Sequence, residues 1–145
     1  PIGHIAKLCD LLAAKNIRVF LTGLEKDKEI ARQIFQGTKT KPIDMTGRTN
    51  ILQLAALMKK ASVFVTPDSA SMHVAAAMKT PFVALFGPTD PFRHLPPSGR
   101  CQVIYLKPDC APCYQGQCAV KTHICMKNIT PEQVVGSIES LITKG

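Results

Sequence analysis

The sequence predicts a doubly wound α/β domain built on a parallel sheet, and three observations predict it. Helical and strand-like patterns alternate from one end to the other, with no stretch of consecutive strands. The strand-like segments are unbroken apolar runs without a polar face, as in strands covered on both sides. The 145 residues, 46% of them apolar, suffice for one well-packed core and are too few for two domains of ordinary size.

The elements follow in order. Ile2, Ile5, Ala6, Leu8, Cys9, Leu12 and Ala13 recur at three and four residues, giving an amphipathic helix that ends near Lys15 and Asn16, with Pro1 in its first turn. "IRVFLTG" is a short strand closed by Gly23, and "KDKEIARQIFQG" returns to helical spacing with Gly37 as its stop signal. "PIDMTG" is a strand by its shortness and position. "TNILQLAALMKKA" is a helix capped by Thr49 or Asn50. "SVFVTP" is a buried strand, "SASMHVAAAMK" a helix, and "PFVALFG" and "CQVIYLK" are strands. After a cysteine-rich loop, "TPEQVVGSIESLITK" opens a last helix with Thr130 as cap, Pro131 in the first helical position and Glu132 in the first turn.

Composition narrows the partners. Eighteen Lys and Arg against ten Asp and Glu give +8, which favours anionic partners such as nucleotide phosphates, nucleic acid or an acidic membrane surface. Aromatics are 6% and no basic-aromatic stripe is visible, so nucleic acid is not expected. No apolar run approaches the roughly 20 residues of a membrane span and no charged-then-apolar leader opens the chain, so a soluble domain is expected, one that could belong to a longer protein.

In open parallel sheets ligands sit beyond the carboxyl ends of the strands, which selects the loops at 23–27, 46–50, 67–73 and 87–94. In "DSASMH", Ser69, Ala70 and Ser71 are small and stand where helix amides are free, so the loop either binds an anion or is simply capped by Asp68 or Ser69. His73 follows in the first turn, as a structural histidine or as a contact to the same ligand. "FGPTDP" is an ordinary strand-ending turn or the second wall of one site. Glu25 and Asp27, after Gly23, suit ribose hydroxyls and equally suit a solvated helix start.

From "TGRTNILQLAALMKKASVFVTPDSASMHVAAAMKTPFVALFGPTDP", in order and spacing over residues 46–91, the chain closely resembles the ADP-heptose:lipopolysaccharide heptosyltransferases, glycosyltransferase family 9. The opening "P-x-x-x-x-A-x-L", the "G-x-E" turn and the cysteine-rich tail extend the likeness over nearly the whole chain. The resemblance implies a Rossmann-like fold forming the C-terminal, donor-binding half of a GT-B glycosyltransferase. Residues 1–145 would then be one nucleotide-sugar domain, with the acceptor domain and its catalytic aspartate outside the chain. It implies ADP-heptose as donor, the lipopolysaccharide inner core as acceptor, no metal or other cofactor, and a cytoplasmic location at the inner membrane face.

Carried over residue by residue, the resemblance gives Asp68, Ser69, Ala70 and His73 to the diphosphate and sugar loop, with Ser69 and the Ala70 amide donating to phosphate. It gives Thr49, with Gly47 and Arg48 beside it, to the adenine side, Glu25 and then Asp27 to the ribose, and Gly87 to the neighbouring turn. Ala70 departs from the family's usual glycine, which raises the question of positive φ at that position. Other donor contacts, a lysine among them, would precede Pro1.

Cys9 and Cys101 lie in apolar segments and read as core thiols. Cys110, Cys113, Cys118 and Cys125 are four thiols within reach of one tetrahedral metal, but their spacing is not that of a standard zinc knuckle. Reduced thiols, a bridge formed on isolation and a metal site all remain open readings. A nonenzymatic metal-binding module and a glycosyltransferase of the same fold with another nucleotide-sugar are the competing functions.

Overall fold

The computed structural model describes residues 1–143. Seven helices and five strands alternate in them: α1 (Ile2–Ala13), β1 (Phe20–Leu21), α2 (Lys28–Gly37), β2 (Ile43–Asp44), α3 (Ile51–Lys60), β3 (Phe64–Pro67), α4 (Ala70–Ala77), β4 (Phe82–Phe86), α5 (Pro91–His94), β5 (Cys101–Tyr105), α6 (Ile124–Lys127) and α7 (Pro131–Ile142). A short 3-10 turn, Glu25–Asp27, leads into α2. Every strand pair is parallel and helices lie on both faces, so the doubly wound α/β architecture is the observed one. Lys144, the last residue of the expected final helix, lies outside the described residues.

The strands form two ladders. β1 pairs with β2, Phe20 opposite Ile43 and Leu21 opposite Asp44, while β3, β4 and β5 form the second ladder with β4 at its centre. β4 reads as a strand covered on both faces. Val83 packs with Leu12 of α1 and Val134 and Ile138 of α7, while Phe82, Ala84 and Phe86 pack with Met58 of α3 and Met72 and Ala75 of α4. Phe82 and Phe86 are completely buried, each worth roughly 1.5–3 kcal/mol. The first ladder does not fit the expectation of strands covered on both sides. Phe20 and Ile43, paired across it, stay 42% and 43% exposed, because α1 and α2 cover only the face carrying Val19 and Leu21.

Local signals explain the helix ends. Asn50, not Thr49, caps α3: its side chain accepts from the Gln53 amide and Gln53 answers to the Asn50 amide, both at 2.9 Å. Thr130 and Gln133 do the same for α7, with Pro131 following the cap. Gly37 is not a left-handed stop. It is the last helical residue, followed by Thr38 in extended backbone, and a Cβ on it would lie 3.2 Å from that of Ala6. Its smallness lets α1 and α2 approach.

Candidate functional site

The β3–α4 loop begins with Thr66, 1% exposed at the end of an apolar strand. Its hydroxyl lies 3.0 Å from that of Ser69 and 3.1 Å from that of Ser71, and those two are 2.8 Å apart. The Thr66 hydroxyl also donates to the Pro67 carbonyl at 2.9 Å. Ser69 occupies the cap position of α4 in extended backbone but makes no side-chain capping bond, because its hydroxyl is engaged in this triangle. The capping reading of the loop is thereby corrected. The Ala70 and Ser71 amides keep the positive end of the helix without a side-chain partner, the arrangement that receives an anion.

Ala70 is exposed and opens the helix, and it is not among the residues with positive φ, so the alanine in place of glycine costs the loop no backbone strain. Asp68 is largely covered, its side chain 19% exposed, and faces Nδ1 of His94 at 3.7 Å. His73 is exposed on α4.

On the neighbouring ladder, the loops after β1 and β2 are joined by the Gly47 amide, which donates to the Gly23 carbonyl at 2.9 Å. Gly47 has φ +69°, and a Cβ there would lie 2.3 Å from Glu25 Oε2. Glu25 and Gly47 therefore touch. The Glu25 carboxylate is exposed and pairs with Lys28 at 2.6 Å. Asp27 is used differently: its carboxylate accepts from the Leu24 amide at 2.8 Å and holds the 3-10 turn. Thr49 is half-buried and Arg48 exposed beside them. Thr46, behind Gly47, is buried, and its amide and hydroxyl hold Asp44 below the ordinary carboxylate range.

Gly87 lies under α6 rather than facing open space. A Cβ there would meet Met126 Sδ at 2.6 Å and Cys125 Sγ at 3.3 Å, so its visible role is to admit α6. The cysteine-rich loop closes over the same turn, with the Tyr114 amide donating to the Pro88 carbonyl at 2.8 Å. The Tyr114 ring lies 6.0 Å from the His94 ring and the same distance beneath the Arg93 guanidinium. Asp90 caps α5 through the Phe92 amide at 2.9 Å. The hydroxyls of Thr89 and Tyr105 are buried there without a partner among the described residues, and burial is the main cause raising the Tyr105 pKa. All six cysteines are free, and among the described residues no three His, Cys, Asp or Glu side chains are grouped to hold a metal ion. The Cys118 sulfur accepts from the His123 amide at 3.4 Å, which lowers its pKa, whereas burial raises that of Cys125.

Thr66 and His94 were not singled out in the sequence. Thr66 is legible in retrospect as a hydroxyl ending an apolar run directly before "PDS"; no pattern announces His94. The two surface grooves on the α1 flank, one lined by Ile2, Ala6 and Gly37 and the other by Cys9, Val19 and Ile43, involve none of these loops.

Residues 1–124 match the model of glycosyltransferase family 9 (heptosyltransferase). The chain belongs to that family. Lipopolysaccharide heptosyltransferase 2 of Escherichia coli K12 is 32% identical over 146 residues, covering 98% of this chain and 42% of the relative. Lipooligosaccharide heptosyltransferase 2 of Haemophilus influenzae is 30% identical, covering 99% and 43%. Among solved structures, a family 9 glycosyltransferase of Veillonella parvula superposes with TM-score 0.86 at 26% identity, over 100% of this chain and 42% of that one. The ADP-heptose LPS heptosyltransferase II of Escherichia coli gives 0.82 at 29%, over 99% and 42%. This family 9 chain thus spans under half the length of these relatives. Among its described residues no helix is long and apolar enough to cross a membrane.

Proposed function

We propose that the chain is the donor-binding part of an inverting heptosyltransferase that takes heptose from ADP-heptose to the inner core of lipopolysaccharide at the cytoplasmic face of the inner membrane. The observation that carries the reading is the amide end of α4, which has no side-chain cap and is framed by the Thr66, Ser69 and Ser71 hydroxyls. Glu25 against Gly47 stands on the neighbouring loops. A diphosphate accepts from the Ala70 and Ser71 amides, and from the Ser69 hydroxyl once that turns out of its contacts with Thr66 and Ser71, gaining about 0.3–2 kcal/mol from the helix dipole alone. Glu25 takes the ribose hydroxyls, Thr49 lies toward the adenine, and Asp68, backed by His94, keeps the phosphate loop in shape. Asp27, the second candidate for the ribose, already holds its own turn through the Leu24 amide, which supports Glu25 in that role.

In the transfer, an acceptor hydroxyl attacks the anomeric carbon, the bond from that carbon to the diphosphate oxygen breaks, and ADP departs with the electron pair. The hydroxyl proton passes to a carboxylate outside this chain. The contribution of this half is to stabilise charge on the departing diphosphate through amides already in place before reaction. The separated half binds donor and is inactive.

Calorimetry of the chain with ADP, ADP-heptose, UDP and GDP tests the reading. ADP and ADP-heptose are expected to bind and the other two far more weakly. A folded chain that binds none of them at millimolar concentration overturns the donor site, and preference for UDP or GDP overturns the donor identity.

A further inference from the structure

The strongest feature left unexplained is where the charge sits. Both ladders are parallel, and two contacts show that their strands start at the same end of the molecule. Arg100, directly before β5, donates through its guanidinium to the Leu141 carbonyl near the end of α7. Lys15, past the end of α1 and leading into β1, pairs with Glu139 of α7 at 2.6 Å. The ends of α1 and α7 therefore lie together beside the amino ends of β1 and β5. At this end every strand is preceded by a cation within four residues: Arg18, Lys41, Lys60, Lys79 and Arg100 stand before β1 to β5 in turn. Lys39 and Lys59 stand where α2 and α3 finish, at the same level. With Lys15 these are eight of the eighteen Lys and Arg, and all eight are exposed.

Carboxylates do not follow them. Two of the ten Asp and Glu stand at this end, and both are engaged: Glu139 by Lys15, and Asp10 by the Thr40 hydroxyl and the Thr40 and Lys39 amides. The other eight lie at the ends of strands, in the loops that follow strands, or in the first turn of a helix. Most of the net +8 is therefore gathered at the amino end of the sheet. Helix ends favour cations, and that explains some of these. Lys41 donates to the Phe35 carbonyl at 3.0 Å and Arg100 to that of Leu141. It does not explain Arg18, Lys39, Lys59, Lys60 and Lys79, whose side chains make no ion pair or hydrogen bond among the described residues. Five free cations on one face, without opposing acids, are poised for an anionic surface.

We propose that this face docks on an anionic phospholipid surface. Six of its eight cations are lysines. Headgroups present a diffuse, mobile array of negative charge that attracts each nearby Lys or Arg without a fitted geometry, over about a Debye length. A protein partner suits the face less, because the centres of protein interfaces are depleted in lysine. Nucleic acid suits it less as well, since no basic-aromatic stripe is present for stacking. A second copy is repelled by the same charge. Docking through this end leaves the Glu25 and Asp68 loops, at the opposite end of the strands, clear of the headgroups and open to their ligand. The inference deepens the proposed membrane location by naming the face that makes it, and it rests on that reading for its choice of occupant.

Vesicle flotation of the full-length protein tests it, with phosphatidylcholine alone and with phosphatidylcholine carrying about 30% phosphatidylglycerol, at about 50 mM salt. Binding is expected to the anionic vesicles only, and to weaken steeply as salt rises to about 300 mM. Two variants remove the same charge from different places: Lys59→Gln/Lys60→Gln/Lys79→Gln on the face, and Lys107→Gln/Lys121→Gln/Lys127→Gln at the other end. The first is expected to bind anionic vesicles at least ~10-fold more weakly than wild type, and the second to stay within ~3-fold of it. Lys59→Arg/Lys60→Arg/Lys79→Arg keeps wild-type binding, because charge and not shape is used; circular dichroism confirms that each variant is folded. Equal weakening in the two glutamine variants overturns the face, since net charge alone then acts, and so does loss of binding in the arginine variant. Wild type that ignores anionic vesicles even at low salt overturns the membrane location itself. A short DNA duplex that strips the protein from the vesicles at equal phosphate concentration overturns the occupant in favour of nucleic acid.

Discussion

Gly47→Ala is the sharpest perturbation of the site, because two separate costs meet at one atom. The backbone sits at φ +69°, where a Cβ costs roughly 1–2 kcal/mol. The same Cβ would lie 2.3 Å from Glu25 Oε2 and 3.2 Å from the Glu25 Cα. The carboxylate can swing aside, giving up the exposed 2.6 Å pair with Lys28, worth about 0.3–0.5 kcal/mol, but the Cα is main chain and moves only with the turn. Together these lower stability by about 2 kcal/mol and shift the urea midpoint down by about 1 M for a slope near 2 kcal/mol per M. If Glu25 holds the ribose as proposed, displacing it costs a charged hydrogen bond to the ligand, and ADP affinity is expected to fall ~10-fold or more. Chemical denaturation and calorimetry on the same preparation read both. Gly47→Asn separates the terms, since asparagine tolerates left-handed backbone yet carries the same Cβ: it is expected to recover part of the midpoint and none of the affinity. An alanine variant with unchanged midpoint and unchanged ADP binding would refute the reasoning.

Three further outcomes are expected. Glu25→Ala weakens ADP binding ~10-fold with little change in urea midpoint, whereas Asp27→Ala loses its bond to the Leu24 amide and about 0.5–2 kcal/mol of stability; the opposite pattern in calorimetry and denaturation would reverse their roles. Asp10 accepts from the Thr40 hydroxyl at 2.6 Å and from the Thr40 and Lys39 amides, which hold its pKa below the ordinary 3.8. A depressed folded-state pKa gives stability that is present in full above the unfolded value and lost as pH falls through the folded one. Wild type should therefore lose its advantage over Asp10→Asn as urea midpoints are followed from pH 6 down to about pH 2, and a difference that stays constant would show the pairing to be without effect. Brief alkylation with iodoacetamide at pH 8 should label Cys118, activated by the His123 amide, ahead of Cys9, whose thiol burial pushes up to about 11; peptide mapping that finds Cys9 labelled first would contradict the packing of α1.

Family membership was legible in the motif-bearing stretch at residues 46–91, and the alternation of elements in the periodicity. "DSASMH" showed that a helix starts there but not whether its amides are free. That depended on Thr66, whose hydroxyl engages Ser69 and Ser71 and so keeps Ser69 from capping. Gly37 and Gly87 each read as a turn glycine in sequence, and both are better explained by what packs against them, Ala6 and Met126. Glycine's tolerance of φ is visible locally, whereas close approach by a distant element is not.

The sequence by itself determined the order and type of the five strands and of five of the helices, though not the single-turn α5 and α6, and it determined the family. These follow from periodicity and contiguous motifs, both properties of short stretches of chain. Only the tertiary structure decided that Asp27 holds its own turn while Glu25 lies against Gly47, that the cysteine-rich loop covers the Gly87 turn, and that the strands form two ladders. Each of these is a contact or a gap between segments remote in sequence or facing one another in space, and such relations exist only once the chain has chosen its packing.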